Sequence, residues 1–208
     1  MLSPILRQLD LANSLTLGGL FLSFVAVLLS VNGHFNLAMI CLIYAGIIDL
    51  FDGFVARKLQ RSPLQSAAGQ QLDSLVDLCS FGFAPAIFGY CVGLQNLVSI
   101  LVLMFYIMAN ALRLAYFNST GLSSQGDDDY FTGLPVTYAA LFIPLFFATH
   151  FIFPHIKLVF CSVYLLLAMA MVANFKVFKL QGIWYGIFAV GAIALTGVYS
   201  WGIVTGMN

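Results

Sequence analysis

Long apolar stretches separated by short polar turns run through most of the chain. A bilayer-spanning helix needs about 20 mostly apolar residues. Seven such stretches are present, at about 12–31, 36–56, 69–92, 96–117, 133–153, 157–176 and 183–205. The pattern predicts an all-α, polytopic transmembrane bundle of about seven spans (six to eight), forming one domain over residues 1–208. The first stretch is too long for a signal peptide and lacks a basic start and a small-residue cleavage site. Val31-Asn32-Gly33-His34 reads as a tight turn and 57–66 as a basic loop. The segment 118–132 is the longest and most polar connection, with Asp127, Asp128 and Asp129 consecutive. Those three acids read as a solvated face. No internal repeat or low-complexity tract is present.

Composition narrows the class. Of 208 residues, 62% are hydrophobic and 8% charged, whereas a soluble domain carries roughly a quarter charged residues. Too few polar groups remain to cover a soluble globule, and the chain is too apolar for disorder. The net charge is zero, so nothing points to a nucleic-acid partner. Cys41, Cys79, Cys91 and Cys161 lie singly in apolar stretches without metal-ligand spacing and read as free thiols. His34 and His155 read as interfacial, and His150 as hydrogen-bonded inside an aromatic-rich span. Trp184 and Trp201 flank the last span as interface anchors do.

Cations set the orientation, because cytoplasmic loops carry the excess of Lys and Arg. A cytoplasmic N-terminus places Arg7, Arg57, Lys58, Arg61, Arg113, Lys176 and Lys179 inside and only Lys157 outside. The basic loop then joins the second and third spans at the cytoplasmic surface.

The eight acids are all Asp, and four of them flank that loop. Residues three and four apart share a helix face. Asp49, Asp52, Gly53 and Ala56 therefore line one face of the second span, and Gly69, Asp73 and Asp77 one face of the third. Each face joins two carboxylates to small residues, which admit a bulky ligand closely. Four carboxylates this close cannot all stay ionised without a cation, and hard oxygen donors suit Mg²⁺, Mn²⁺ or Ca²⁺. Arg57 adds a fixed positive charge suited to phosphate. A lone membrane Asp often only hydrogen-bonds a neighbouring helix. Two facing pairs with Arg57 between them instead fit a metal-assisted site for a pyrophosphate-containing substrate.

The string D-x-x-D-G-x-x-A-R…G-x-x-x-D-x-x-x-D, from Asp49 to Asp77, resembles the signature of the CDP-alcohol phosphatidyltransferase family. Eleven residues separate Arg57 from Gly69, where the family usually has about eight; the extra ones are expected in the loop that holds Pro63. Leu72–Asp77 runs into Ser80-Phe81-Gly82-Phe83-Ala84-Pro85, followed later by Leu112–Asn118 (L-R-L-A-Y-F-N) and Phe131–Pro135 (F-T-G-L-P). These are similar to the membrane-embedded phosphatidylserine synthase branch, with Tyr116 where that branch usually has Arg. Asn13-Ser14-Leu15-Thr16 is similar to the family's P-N-x-x-T start, with Ala12 replacing Pro. The resemblance covers roughly residues 10–140, with its motif core at 49–82, and the spans of 157–208 carry no motif.

The resemblance implies transfer of a phosphatidyl group from CDP-diacylglycerol to L-serine, releasing CMP. It implies a pair of Mg²⁺ or Mn²⁺ ions held by Asp49, Asp52 and Asp73 with Asp77 contributing, and Asp77 as general base. Gly53, Ala56, Arg57 and Gly69 would border the CDP-lipid, with Asn13 nearby. Arg113 and Asn118 would meet the serine carboxylate or the lipid phosphate, although an Arg near a span end can also simply snorkel. The expected setting is a homodimer in the cell membrane with the site facing the cytoplasm. Two alternatives stay open. A sister enzyme would use glycerol 3-phosphate or inositol phosphate, but a phosphorylated acceptor needs more cations than Arg7, Arg113, Lys176 and Lys179 offer. A divalent-cation transporter would hold its ions near mid-membrane, whereas these acids sit at span ends beside Arg57. A phospholipase D-like H-x-K-x-x-x-x-D begins at His155 and fails at Ser162.

Overall fold

The computed structural model describes residues 3–120, 123–125, 128–151, 156–178 and 183–206. Asp127 and His155 lie outside the described residues, as do the side chains of Asp128, Asp129 and Trp184. The fold is a helical bundle of α1 (Leu11–Val31), α2 (Phe35–Lys58), α3 (Pro63–Asp77), α4 (Ala84–Val92), α5 (Leu97–Thr120), α6 (Ala139–Phe147), α7 (Ile156–Val172) and α8 (Ile183–Thr205). Among the described residues, five helical runs are long and apolar enough to cross a membrane, and Val136–Phe151 and Lys157–Val172 are shorter apolar helices. All seven coincide with the apolar stretches of the sequence. Phe21, Phe24, Leu101, Met104, Val190 and Ile193 remain exposed on their helices, as lipid-facing side chains do. The chain is an integral membrane protein.

Helix α1 packs along α2. Its buried face is Ala12, Asn13, Thr16, Gly19, Ser23, Ala26 and Ser30. Small residues recur there every three or four positions, which lets backbones approach where lipid supplies no hydrophobic drive. Gly19 faces Ala45 and Ile48 of α2. The Ser23 and Ser30 hydroxyls donate to Gly19 O and Ala26 O, at 3.0 and 2.7 Å, so they cost little when buried.

Helix α3 starts six residues before the apolar stretch it leads into. Ser62 Oγ accepts from Gln65 N at 3.2 Å, and Gln65 Oε1 accepts from Ser62 N at 3.0 Å. This capping box, with Pro63 in the first turn, satisfies the otherwise orphaned amides. The basic loop is thereby reduced to residues 59–62. Pro63 and the residues after it therefore belong to α3 and not to the loop, which corrects the expectation for that segment.

Between α3 and α4 the helix widens into a π-helical turn at Leu78–Phe83. Such turns are rare and occur frequently at functional sites. Buried tyrosines tie this region and α6 to the rest of the bundle. Tyr106 of α5 donates to Phe81 O, Tyr164 of α7 to Pro85 O at 2.5 Å, and Tyr199 of α8 to Pro144 O. The polar connection after α5 carries strands that the sequence reading had left as loop. Strand β1 (Ser123–Gln125) pairs antiparallel with β2 (Asp128–Thr132), and β2 with β3 (Lys176–Phe178).

Candidate active site

The site is built on α2, α3 and the start of the π-helical turn, with α1 behind it. Asp49, Asp52 and Asp73 each offer a carboxylate oxygen, and these oxygens lie within 4.8 Å of one another. Asp77, one turn beyond Asp73, comes within hydrogen-bonding reach of Asp49. Asp52 and Asp77 are buried, and Asp77 Oδ1 has no hydrogen-bond partner. Burying carboxylates is costly unless they are paired or coordinate a cation. The donor set is all oxygen, the preference of hard divalent ions, so the residues present fit a metal ion.

Thr16 of α1 was quoted from the sequence without a role. Its hydroxyl donates to Asp52 Oδ2, fixing the direction of one carboxylate in the cluster. A fixed partner of this kind orients a ligand and tunes its basicity. The signal that could have found it is its spacing three residues after Asn13, on the same α1 face.

Asn13 is buried, and both ends of its amide are engaged. Nδ2 donates to Gln8 O at 2.7 Å, and Oδ1 accepts from Arg61 Nη2 at 2.6 Å. Arg61 also donates from Nε to Asp10 Oδ2 at 2.7 Å and from Nη2 to Gln65 O at 3.1 Å. Asp10 in turn caps α1, accepting from Asn13 N at 2.8 Å. Arg61 thus clamps the N-terminal segment to the α2–α3 connection. A Cβ at Gly69 would lie 2.6 Å from Asn13 Oδ1 and would strike the Arg61 guanidinium. Gly69 therefore makes room for the clamp. The sequence gives Asp10 no part in the site and counts Arg61 only among the loop cations.

Arg57 is exposed, one turn along α2 from the half-buried Gly53. Ala56 is half-buried beside it. Arg113 is buried on α5. Its Nε donates to Leu134 O at 3.3 Å, its guanidinium carbon stands 5.1 Å from the Phe117 ring centre, and it lies within electrostatic reach of Asp77. Burial replaces the snorkelling alternative for this residue. Asn118 is exposed and donates from Nδ2 to Ser74 Oγ at 2.8 Å, so it joins α5 to α3 at the rim and does not enter the carboxylate cluster.

An apolar cavity of about 390 Å³ opens beside Asp49, between α2, the Pro135–Tyr138 turn, α6 and α8. Ile47, Phe51, Phe54, Leu141 and Phe188 line it. A cluster of carboxylates at the mouth of an apolar cavity suits an amphiphile with a charged head.

The profile of the CDP-alcohol phosphatidyltransferase family matches residues 9–178. An archaetidylserine synthase of Methanothermobacter thermautotrophicus is 38% identical over 129 residues, 62% of this chain and 53% of that protein. A CDP-diacylglycerol–serine O-phosphatidyltransferase of Saccharomyces cerevisiae is 44% identical over 93 residues, 42% of this chain and 33% of that protein. The Bacillus subtilis protein of the same name is 31% identical over 129 residues, 61% of this chain and 69% of that protein. The chain thus spans about half of the first of these relatives and a third of the second.

Proposed function

The chain belongs to the CDP-alcohol phosphatidyltransferase family, and we propose that it transfers a phosphatidyl group from CDP-diacylglycerol to the hydroxyl of L-serine, giving phosphatidylserine and CMP. The observation that carries this reading is the carboxylate cluster of Asp49, Asp52 and Asp73 with the buried, unpartnered Asp77 Oδ1, at the mouth of the apolar cavity. The names of the relatives support serine as acceptor.

In this reading Asp49, Asp52 and Asp73, with Asp77 contributing, would hold two Mg²⁺ or Mn²⁺ ions, whose charge would offset that on the transferring phosphate and the CMP leaving group. Gly53, Ala56 and Gly69 leave the helix faces bare for the CDP moiety. Arg57 pairs with its phosphates. Asn13 acts indirectly, by holding Arg61 against the α2–α3 connection. The acyl chains occupy the apolar cavity. A serine hydroxyl is a poor nucleophile, so Asp77 takes its proton as the oxygen attacks phosphorus. The bond to the CMP oxygen breaks and CMP leaves with the electron pair. Arg113, buried beside Asp77, meets the serine carboxylate. Asn118 holds the rim of the acceptor side. The whole chain acts as one membrane domain, as a homodimer in the cell membrane with the site at the cytoplasmic surface.

The test supplies purified protein with CDP-diacylglycerol and either L-serine, glycerol 3-phosphate, inositol phosphate or no acceptor, and follows CMP release with and without Mg²⁺ or Mn²⁺. Release that requires both serine and the metal ion is expected. Release driven equally by a phosphorylated acceptor overturns the serine assignment. Asp77→Asn should lower turnover roughly 10²–10⁴-fold, the usual contribution of a general base. Asp73→Asn should abolish Mn²⁺ binding measured by electron paramagnetic resonance.

A further inference from the structure

The cavity beside Asp49 is apolar, yet two hydroxyl-bearing residues line it. Asp49, Thr137 and Tyr138 are its lining residues with polar side chains. Thr137 and Tyr138 are half-buried, and among the described residues neither hydroxyl has a hydrogen-bond partner. Their level in the cavity follows from the packing of α2 against α6. Gly46 faces Ala140 so closely that a Cβ at Gly46 would lie 2.6 Å from Ala140 Cβ. The two helices run antiparallel, because the Phe88 ring meets Phe35 at the start of α2, at 5.8 Å, and Phe147 at the end of α6, at 4.8 Å. One turn from Gly46 toward the carboxylates is Asp49, and one turn from Ala140 in the same direction is Thr137. Thr137 therefore stands level with Asp49 on the facing wall. Tyr138 follows it, with its ring stacked on Phe142 at 6.3 Å and meeting the edge of Phe188 of α8 at 6.1 Å. Side chains on a helix lean toward its N-terminus, which in α6 is the carboxylate end. The turn that carries both residues is held in place, since Tyr138 N donates to Pro135 O at 3.2 Å and Leu134 N to Ala170 O at 3.0 Å.

We propose that the Thr137 and Tyr138 hydroxyls donate hydrogen bonds to the ester carbonyls of the lipid substrate, and so set the depth at which its phosphate stands over the carboxylate cluster. This rests on the transferase reading above and deepens it. In CDP-diacylglycerol the two ester links lie between the phosphate and the chains. A lipid with its phosphate at Asp49 and its chains in the cavity must therefore put those links at the level of Thr137. An ester carbonyl accepts hydrogen bonds and donates none. Drawn into an apolar cavity it loses its water partners, a loss that is costly unless a donor replaces them. Thr and Tyr hydroxyls are such donors, and these two are free to turn toward the ligand. The apolar wall holds any chain of suitable length, whereas the hydroxyls hold one point of the lipid at a fixed height. Reaction at phosphorus depends on that height, because small displacements of a bound substrate are costly in rate.

The test measures CMP release by the purified full-length protein and by Thr137→Val, Tyr138→Phe and Thr137→Ser. The KM for CDP-diacylglycerol should rise about tenfold in Thr137→Val and in Tyr138→Phe, the result of leaving a buried carbonyl unpaired. The KM for L-serine should stay within about twofold of the parent. Thr137→Ser keeps the hydroxyl and should restore the affinity for the lipid. The cytidine diphosphate ester of hexadecanol carries the same head and a long chain but no ester carbonyl. It should inhibit parent and variants with constants equal within about twofold. An unchanged KM for CDP-diacylglycerol in both Thr137→Val and Tyr138→Phe overturns the carbonyl contact while leaving the transferase reading intact. So does an equal weakening of the hexadecanol ester, which would show general damage to the cavity. A parent protein that releases no CMP from CDP-diacylglycerol with any acceptor overturns both.

Discussion

At the scale of single residues, two small contacts hold the site in shape. Thr16 donates to Asp52 from a neighbouring helix, so its hydroxyl sets a carboxylate direction that α2 alone leaves free. Thr16→Val keeps the volume and removes the donor. The Mn²⁺ concentration for half-maximal activity should rise about tenfold, the low end of what lost orienting partners cost. An unchanged activation curve would show that Asp52 needs no such partner. Gly69 matters for a different reason. A Cβ there meets both Asn13 Oδ1 and Arg61, neither of which can retreat without breaking the clamp. Gly69→Ala should lower stability by about 1–3 kcal/mol, as overpacking does, read as a fall in melting temperature in detergent. It should also raise the KM for the CDP-lipid.

At the scale of elements, the Asp10–Arg61 pair ties the start of α1 to the turn between α2 and α3. The two side chains are only 12% and 15% exposed, so the pair is screened less than a surface ion pair. Asp10→Ala also removes the α1 cap, a loss of about 1 kcal/mol by itself. Arg61→Ala removes the pair and leaves the cap. A double-mutant cycle on melting stability should therefore show coupling between the two positions, and additivity would mean that the ion pair contributes nothing. The apolar helices and the carboxylate faces were legible in the sequence, because both follow from local spacing. The clamp was not, because its partners are 51 residues apart and only the fold brings them together. Nor were the strands: β2 finds β3 more than forty residues later, and no alternating pattern announces either. The start of α3 was readable from Ser62-Pro63-Leu64-Gln65, but hydropathy alone looks past a polar first turn. The buried face of α1 was hidden differently. That helix is apolar all round, so only the recurrence of small residues tells the packed side from the lipid side.

At the scale of the molecule, the helices without motif hold the motif in place. Gly133 N donates to Phe175 O and Leu134 N to Ala170 O, at 2.9 and 3.0 Å, and Leu134 O in turn receives Arg113. The end of α7 thus helps fix Arg113 beside a site whose acids lie on α2 and α3. Gly133, at φ +72° and with its Cβ position 2.5 Å from Met171 O, is the one residue type that fits this junction. In the proposed reaction serine enters and CMP leaves at the same end of the bundle, while the lipid chains enter sideways. That end is the one carrying Arg57, Lys58 and Arg61, and the positive-inside rule predicts that it faces the cytoplasm. The prediction can be read without any assay of turnover. Gln60, in the α2–α3 connection, and Gln95, between α4 and α5, are both exposed and lie at opposite ends of the Pro63–Val92 run. In a background with the four native cysteines replaced, Gln60→Cys should react with a membrane-impermeant maleimide only in inside-out vesicles. Gln95→Cys should react only in right-side-out vesicles. The reverse pattern would put the carboxylate cluster on the outer face, away from any cytoplasmic supply of nucleotide-activated lipid, and the orientation would have to be abandoned along with the charge count that predicts it.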